Sequence, residues 1–242
     1  MGKNNQVIEY FLGLEKGWIY RGKVRDTYDL NPREFLLVAT DRISAFDVRK
    51  AERINIECIA RGYISGSAWA EYKQYGTVAG LPMPEGLEES DRLPQILFTP
   101  TTKTEKGHDE PITTNQMWDM IGKDLTEEIK AKTLEVYSFA VDYARNRGII
   151  IADTKMEFWM IDGKLSLIDE LLTPDSSRFW DLNKYSPGGP QPSFDKQPVR
   201  DWLTASGWNK EPPAPGLPEE IILATTERYR EVYKRLTGRS LN

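Results

Sequence analysis

The chain has 242 residues, 39% hydrophobic and 29% charged, which is enough for one large globular domain or two lobes with a buried core. Its net charge of −5 excludes a broadly basic nucleic-acid-binding surface, but it permits a local basic pocket for a small anion. A single cysteine, Cys58, and a single histidine, His108, exclude an internal disulfide and metal centres built on several such ligands.

The N-terminal sequence lacks the apolar core of a signal peptide, and no apolar run reaches membrane-spanning length. The lone cysteine fits a reducing compartment. These features predict a cytoplasmic protein that binds neither nucleic acid nor a membrane.

The first elements are two predicted strands, at residues 18–30 and 35–40, which together predict an antiparallel sheet in a small lobe. Lys23 and Arg25 lie on alternate positions beside Gly22. They could lie over a triphosphate, with the lysine as a point charge and the arginine as a bidentate donor. The alternative is a bulge glycine with two exposed basic residues.

The loop after the second strand, residues 40–47, combines two acids and an arginine with hydroxyl side chains, including Asp41 and Ser44. Loops that follow strands often carry substrate-binding groups. A turn capped by Asp and Ser is an equally good interpretation of this pattern.

A third strand is predicted at residues 54–60, followed by a helix from Ser67 through Tyr72. Arg61 lies between them and begins an Arg-Gly-x-x-Ser-Gly-Ser segment. Backbone N–H groups, a hydroxyl and a guanidinium in such a segment suit anion binding. A plain strand-to-helix turn is the alternative.

Residues 80–104 are rich in Pro, Gly and Thr and are predicted to form a loop. His108 follows, and the pattern alone favours a structural or inert role for it. Residues 124–146 predict a long amphipathic helix that ends at Gly148 and leads directly into the next strand.

The segment 148–180 carries the densest pattern of charge. Asp153, Lys155 and Glu157 lie two residues apart in a predicted strand, so all three point to one face. A return strand ends in Asp169, next to a second acid. Carboxylates with a lysine suit Mg²⁺ and phosphates, because hard oxygen ligands hold the metal while the lysine offsets phosphate charge. The alternative is a solvated strand face with ordinary ion pairs.

The connection between these two strands tests the metal interpretation. A regular two-residue loop at residues 162–163 places Glu157 opposite Ile168 and turns Asp169 to the other face. A metal site shared by Glu157 and Asp169 therefore predicts a loop of three or five residues, or a bulge that restores the phase.

The C-terminal part contains a predicted surface loop at residues 184–199, which could serve as a mobile lid. A short helix is predicted to begin at Arg200 and a last helix at Pro218, ending before Gly238. Apolar positions of the last helix, Ile222 among them, are expected to pack on the body of the protein.

Seven segments, which together cover most of the chain in the same order, resemble the phosphoribosylaminoimidazole-succinocarboxamide synthase (SAICAR synthetase) family. They are GKVRDTYDL, LLVATDRISAFDV, INIECIARGYISGSAW, KGHDE, IIIADTKMEF, LIDELLTPDSSRFW and SFDKQPVRDWL. The departures from the family pattern at Asn55, Ser65 and Trp159 affect packing more than charge.

The resemblance implies an ATP-dependent carbon–nitrogen ligase of purine biosynthesis. Such an enzyme joins an imidazole carboxylate (CAIR) to the amine of L-aspartate and yields SAICAR, ADP and phosphate through an acyl phosphate. The implied fold is α+β, with a kinase- or ATP-grasp-like antiparallel β-lobe at residues 1–53. A larger mixed α/β lobe, residues 54–242, follows it, and ATP and Mg²⁺ lie in the cleft.

The resemblance also implies roles for individual residues. The predicted ATP contacts are Lys23, Arg25, Arg53, Ile56 and Glu57. The predicted contacts to CAIR or aspartate are Arg61, Ser67, Arg178, Asp41, Ser44, His108 and Asp109. The predicted metal ligands are Glu157 and Asp169, with Asp153 and Lys155 beside the reacting carboxylate.

One departure from the family is large. In the family, a sizeable segment lies between the SAFDV motif and the strand that here reads VRKAERI, whereas Val48 runs directly into Arg49. We predict that these two residues are not adjacent in the full-length protein. A true deletion is the alternative, and it would compromise closure over ATP.

Two other functions use the same features. A kinase-like phosphotransferase predicts phosphorylation of a small molecule without amide formation. A catalytically silent nucleotide-binding module predicts ATP binding without turnover, which a true deletion after Val48 would favour.

Overall fold

The computed structural model describes residues 18–21, 25–31, 34–39, 51–103, 109–161, 163–194, 196–209, 211 and 214–241. The chain divides into two compact units, Met1–Lys50 and Ala51–Asn242. The sequence analysis placed this boundary after Arg53, which lies inside a strand of the second unit.

The described part of the first unit is a three-stranded antiparallel sheet in the order β1-β2-β3. Its strands are β1 (Trp18–Arg21), β2 (Arg25–Asn31) and β3 (Glu34–Ala39). The backbone thus has the antiparallel pairing that the alternating sequence pattern predicts.

The second unit is built on a sheet in which two long strands pair antiparallel at the centre, β4 (Ala51–Tyr63) and β9 (Ile149–Ile161). Strands β7 (Arg92–Phe98) and β8 (Thr101–Thr102) pair with β4. Strands β10 (Lys164–Ile168) and β11 (Ser177–Asp181) pair with β9. A separate two-strand ribbon consists of β5 (Thr77–Val78) and β6 (Leu81–Pro82).

Five α-helices lie in the described part of the second unit. They are α1 (Ser67–Tyr75), α2 (Thr114–Ile121), α3 (Lys123–Arg145), α4 (Gln197–Ala205) and α5 (Glu219–Thr237). Helices α2, α3 and α5 contribute to the largest apolar core, which includes Met117, Ile129 and Val232 together with Cys58 and Met156 of the central strands. One face of the β4–β9 pair is therefore covered by helices, and the charged side chains of β9 lie on the other face.

The prediction of a loop over residues 80–104 was wrong, because this segment contains β7. Pro94 interrupts the sequence pattern of β7, and a proline at such a position argues against a strand. A proline is tolerated here because β7 is an edge strand that follows β4 in the sheet order. Helix α2 was also missed, although Thr113 and Gln116 form a capping box at its start.

The segment predicted as a surface loop at residues 184–199 is shorter, because α4 begins at Gln197. Three hydrogen bonds join it to a second loop. The Tyr185 hydroxyl donates to the Ser90 carbonyl at 2.8 Å, Ser90 Oγ donates to the Gly189 carbonyl at 2.9 Å, and the Gly188 N–H donates to the Glu89 carbonyl at 2.9 Å.

The last helix, α5, packs with Val232 buried, but Ile222 is 49% exposed. The expectation that Ile222 packs on the body was therefore wrong. It lies in the first two turns of α5, whereas the core contacts lie further along the helix at Val232 and Leu236. Among the described residues, no helix is long and apolar enough to cross a membrane.

Candidate active site

The antiparallel register of β4 and β9 brings most of the predicted site residues together. Three consecutive cross-strand pairs on the charged face are Glu57 with Glu157, Ile59 with Lys155, and Arg61 with Asp153. The intervening pairs, such as Cys58 with Met156, point into the core. Because the side-chain period of a strand is two, this single register fixes the face of every residue in the ladder.

At one end of the ladder, Asp153 binds two guanidinium groups. Its Oδ2 accepts from Arg61 Nη1 at 2.9 Å and from Arg178 Nη1 at 2.7 Å. Arg178 Nη1 also donates to Ser65 Oγ at 2.5 Å, and Arg61 Nη2 donates to Ser67 Oγ at 3.4 Å. We call these five residues the arginine clamp.

The arginine clamp is held rigidly. Arg61 is only 8% exposed, and its Nε donates to Thr99 Oγ1 at 3.0 Å. Burial lowers the pKa of Arg61, and the neighbouring Asp153 carboxylate opposes this effect. The buried guanidinium therefore keeps its charge beside an acid, and two cations with one anion leave the clamp with a net positive charge.

The clamp lies at the N-terminus of α1. Gly66 is the N-cap, with φ of 58°, and no side chain caps the helix there. A Cβ added at Gly66 would lie 2.7 Å from Arg178 Nη2, so a larger residue would collide with the clamp. An uncapped helix N-terminus beside two guanidinium groups is an arrangement suited to anions.

A cavity of about 400 Å³ adjoins the clamp. Arg61 and Ser67 line it together with residues of α1, of the segment 99–101 and of the start of α2. Thr101 also lines it, and the buried Thr101 Oγ1 has no hydrogen-bond partner among the described residues. The cavity has the size of a small-molecule site.

At the other end of the ladder, two carboxylates face each other and two lysines neutralise them. Lys103 Nζ lies 2.8 Å from Glu157 Oε1 and 3.4 Å from Glu57 Oε1, and Lys155 Nζ lies 3.1 Å from Glu57 Oε1. The hydrogen bond to Glu157 raises the pKa of Lys103 above its ordinary value. We call these four residues the acid–lysine cluster.

A small cavity of about 50 Å³ opens at the acid–lysine cluster, and Asp169, Glu170 and Ser176 complete its lining. Carboxylates directly opposite one another repel, and the sheet itself gains nothing from the pair. Their placement around a cavity therefore favours a cation-binding or phosphate-binding role over a simple ion-pair network.

The prediction of a three- or five-residue hairpin loop was wrong. Lys164 pairs with Ile161, so the connection has two residues, and Glu157 lies opposite Ile168. Asp169 nevertheless lines the same cavity as Glu157. The strand ends at Ile168, and Asp169 adopts a left-handed conformation with φ of 65°, which breaks the strand alternation.

Other predicted site residues have different positions. Lys23, Asp41, Ser44 and His108, and the Val48–Arg49 link, lie outside the described residues. Arg25 lies in β2, of which only the backbone is described. Asp109 is exposed.

The predicted adenine-binding backbone, from Arg53 to Ile56, lies where the pairing of β4 with β9 is interrupted. Arg53 is exposed, whereas the Ile56 side chain is buried in the core, so only its backbone can face a ligand. The Asn55 carbonyl accepts from the Lys103 N–H at 3.0 Å.

Sequence reasoning missed Lys103 and Ser65 as site residues. Lys103 lies just after β8, in a segment whose composition indicated only a loop. A lysine in such a segment carries no local signal, because its partners Glu57 and Glu157 are distant in sequence. Ser65 lies within the anion-binding segment, and its contact with Arg178 could not be read from spacing.

Comparison with known proteins gives consistent matches. The family model described as SAICAR synthetase matches residues 18–55 and 48–215. A relative from Geotalea uraniireducens (strain Rf4), named phosphoribosylaminoimidazole-succinocarboxamide synthase, is 45% identical over 278 residues, covering 90% of this chain and 94% of the relative. A relative of the same name from Neisseria meningitidis serogroup C is 41% identical, and the alignment covers 93% of this chain and 98% of the relative.

The solved structure described as SAICAR-synthase from Saccharomyces cerevisiae complexed with SAICAR has a TM-score of 0.74 and 36% identity, covering 93% of this chain and 96% of that chain. A type-2 SAICAR synthetase in complex with ADP, 22% identical with a TM-score of 0.59, shares the fold.

These alignments also bear on the expected missing segment. The alignment of 278 residues is longer than the 242 residues of this chain, so it includes positions at which the chain has no residue. The two matched ranges of the family model meet at residues 48–55. Relatives thus carry additional residues, and the overlap of the ranges coincides with the predicted interruption after Val48.

Proposed function

Because the chain belongs to the SAICAR synthetase family, whose members join CAIR to L-aspartate at the expense of ATP in purine biosynthesis, we propose that each of its two charged clusters binds a different substrate. The arginine clamp and the adjoining cavity bind CAIR. The acid–lysine cluster, with Asp169, binds ATP and its metal ion.

The observation that carries this assignment is the convergence of Arg61 and Arg178 on Asp153 beside the uncapped start of α1. A phosphate monoester has several acceptor oxygens and a charge near −2, which match two guanidinium groups, hydroxyls and free backbone N–H groups. CAIR carries such a phosphate, and aspartate does not. The clamp is therefore assigned to the nucleotide-like substrate.

Glu157 and Asp169 are the proposed ligands of Mg²⁺. No group of three or more Asp, Glu, His or Cys side chains in the described part of the chain is arranged to hold a metal ion. Two carboxylates fit Mg²⁺ nonetheless, because it prefers hard oxygen ligands and usually keeps waters and substrate phosphates as its other ligands. When bound, the ion would neutralise developing charge on the transferred phosphoryl group.

The proposed chemistry proceeds through an acyl phosphate. A carboxylate is a poor electrophile, and its phosphorylation creates a leaving group that the amine of aspartate can displace. Lys155 is the member of the acid–lysine cluster nearest to the arginine clamp in the ladder, one pair from Asp153 and one from Glu157, so its ammonium group can hold the carboxylate of CAIR near the phosphates. No covalent nucleophile is required. Cys58 is unsuited to that role, because burial raises the pKa of its thiol to about 12.

Several roles remain proposals from the family resemblance. Lys23 and Arg25 would contact the ATP phosphates, and backbone groups from Arg53 to Ile56, with Glu57, would contact the nucleoside. Asp41, Ser44, His108 and Asp109 would line the aspartate end of the site.

The test is a product assay on the chain and on an Arg178→Lys variant. Incubation with ATP, Mg²⁺, CAIR and aspartate should give the mass of SAICAR, and phosphorylated CAIR without amide formation would indicate a phosphotransferase instead. Arg178→Lys should raise KM for CAIR roughly tenfold or more, because a planar guanidinium that contacts Ser65 and Asp153 becomes a point charge.

Arg235→Lys is the matched control. Arg235 binds Asp181 and Glu231 away from the clamp, so this variant should keep the KM for CAIR of the parent chain. An Arg178→Lys variant with unchanged KM for CAIR would remove Arg178 from the binding site.

A further inference from the structure

The arginine clamp projects from a point where the two central strands separate. Arg61 with Asp153 is the last pair of the β4–β9 ladder. Beyond it, the pairing of β4 with β7 shifts between Arg61 and Tyr63. The pairing of β9 with β11 shifts as well, since Arg178 pairs with Asp153 and the next residue pairs with Ile151. Ala152 is therefore an additional residue in β9, a β-bulge adjacent to Asp153.

The hydroxyl of Tyr137, on α3, fills this separation. Its Oη lies 2.6 Å from the Ile151 carbonyl and 3.1 Å from the Ala152 carbonyl, so it donates to the bulge. Gly62 on the opposite strand packs against the same oxygen. One hydroxyl thus lies between β4 and β9 at the position where the next ladder hydrogen bonds would lie.

The Tyr137 hydroxyl is buried and tightly packed. Tyr137 is 1% exposed, and a Cβ added at Gly62 would lie 2.6 Å from its Oη. Burial raises the pKa of Tyr137 well above its ordinary value, so the hydroxyl keeps the proton that it donates. A residue larger than glycine at position 62 would therefore collide with this hydroxyl.

We propose that Tyr137 is a positioning residue for the arginine clamp, acting through the backbone of the two residues that flank the Arg61–Asp153 pair. Gly62 follows Arg61 directly and Ala152 precedes Asp153 directly, so a shift of either backbone moves a clamp side chain. The inference rests on the proposed role of the clamp in CAIR binding. It extends that role to a residue of α3 that touches no substrate.

A purely structural role for Tyr137 is the competing explanation, because many buried tyrosines only fill a core. The two explanations differ in which kinetic constant changes. Loss of core packing lowers stability without discriminating between substrates, whereas a displaced clamp weakens CAIR binding alone.

The experiment compares Tyr137→Phe with Tyr143→Phe. Tyr143 lies on the same helix, and its hydroxyl donates to the Leu236 carbonyl at 2.8 Å at an exposed position, so its variant removes a tyrosine–carbonyl hydrogen bond away from the clamp. Tyr137→Phe should raise KM for CAIR about 3- to 10-fold, as expected for one lost buried hydrogen bond, with KM for ATP unchanged. Tyr143→Phe should leave both constants unchanged.

A second pair of variants tests the contact directly. Gly62→Ala should raise KM for CAIR more than Tyr137→Phe does, because the added methyl group collides with the hydroxyl. The double variant Gly62→Ala with Tyr137→Phe removes the colliding oxygen and should recover part of the affinity, which independent effects would not do.

The outcomes separate the two proposals. An unchanged KM for CAIR in Tyr137→Phe, with a lower Tm and with Arg178→Lys still impaired, would leave the clamp in place and overturn the positioning role. An unchanged KM in Arg178→Lys as well would overturn both proposals.

Discussion

At the residue scale, Asp153 has surroundings that differ from those expected of a residue beside the reacting carboxylate. Its Oδ2 is shared by Arg61 and Arg178, and the residue is 9% exposed. A carboxylate bound by two guanidinium groups fixes their separation and orientation. The geometry therefore favours a role in holding the clamp together, while Lys155 remains the better candidate for contact with the reacting group.

This role predicts the kinetic behaviour of Asp153→Asn. Loss of the shared charge leaves two arginines to repel each other, so KM for CAIR should rise roughly tenfold or more while KM for ATP stays the same. Asp181→Asn is the matched control, since Asp181 is also buried and binds Arg235 elsewhere. A fall in kcat of the same size with KM for CAIR unchanged would instead support the catalytic role predicted from sequence.

The proposed metal ligands give a second prediction at this scale. Glu157→Gln and Asp169→Asn should each lower kcat by roughly 10²-fold or more, as for loss of one preorganised electrostatic group, and should raise the Mg²⁺ concentration needed for half-maximal activity. Both variants should remain folded, because each removes one negative charge from the carboxylates that line the small cavity. Circular dichroism checks the fold, and parent-like activity in either variant would exclude that ligand.

At the scale of elements, the two central strands were predictable because their apolar and charged residues alternate with a period of two. The pattern placed Asp153, Lys155 and Glu157 on one face. It could not give the loop length of the hairpin or the left-handed conformation of Asp169, because both depend on local backbone geometry. Strand β7 was missed because Pro94 carries a strong loop signal that pairing with β4 overrides.

The turn between β10 and β11 is tied to the C-terminal elements through Asp175. Its Oδ1 accepts from the Tyr229 hydroxyl of α5 at 2.8 Å and lies 3.2 Å from Lys196 Nζ, which precedes α4. The same turn carries Ser176, whose carbonyl accepts from the Lys155 N–H at 2.9 Å. Burial opposes ionisation of Asp175, but the hydrogen bonds from Tyr229 and Lys196 outweigh it and lower the pKa.

This shift predicts a pH-dependent contribution to stability. Because the folded-state pKa is below the ordinary value of 3.8, the stabilisation is present above that value and is lost as pH falls through the lower, folded-state pKa. Asp175→Asn should lower Tm by roughly 1–3 °C at pH 7, and the difference should shrink below pH 4. A Tm difference that stays constant down to pH 3 would show that the charge of Asp175 does not contribute.

At the scale of the whole molecule, the site depends on contacts between distant parts of the chain. Arg61, Asp153 and Arg178 come from three different strands, and Lys103, just after β8, contacts Glu57 and Glu157 on the two central strands. Periodicity reports which face a residue occupies, and it does not report which strands are neighbours. The grouping of Arg61, Ser67 and Arg178 was therefore predictable only through the family resemblance. That resemblance placed Asp153 beside the reacting carboxylate instead, and Ser65 and Lys103 were not found at all.

Cys58 offers a measurement of global stability. It lies in the central strand β4 and has no exposed surface, and burial raises the pKa of its thiol to about 12. The thiol should therefore react with a disulfide reagent at pH 8 only when the sheet opens. Saturating CAIR and ATP should slow the labelling rate, since ligands stabilise the folded state. Rapid labelling of the native protein, independent of ligands, would contradict the buried position.

The left-handed conformation of Asp169 restricts the amino acids that this position can accept. The backbone, with φ of 65°, favours glycine, asparagine and aspartate. The proposed role as a metal ligand calls for a carboxylate, which only aspartate and glutamate supply. Aspartate alone meets both requirements.

A gene library randomised at codon 169 should therefore return aspartate almost exclusively when selected for growth without purines. A screen of the same library for folded protein alone should also return glycine and asparagine, and recovery of glutamate as often as aspartate under growth selection would contradict the backbone constraint.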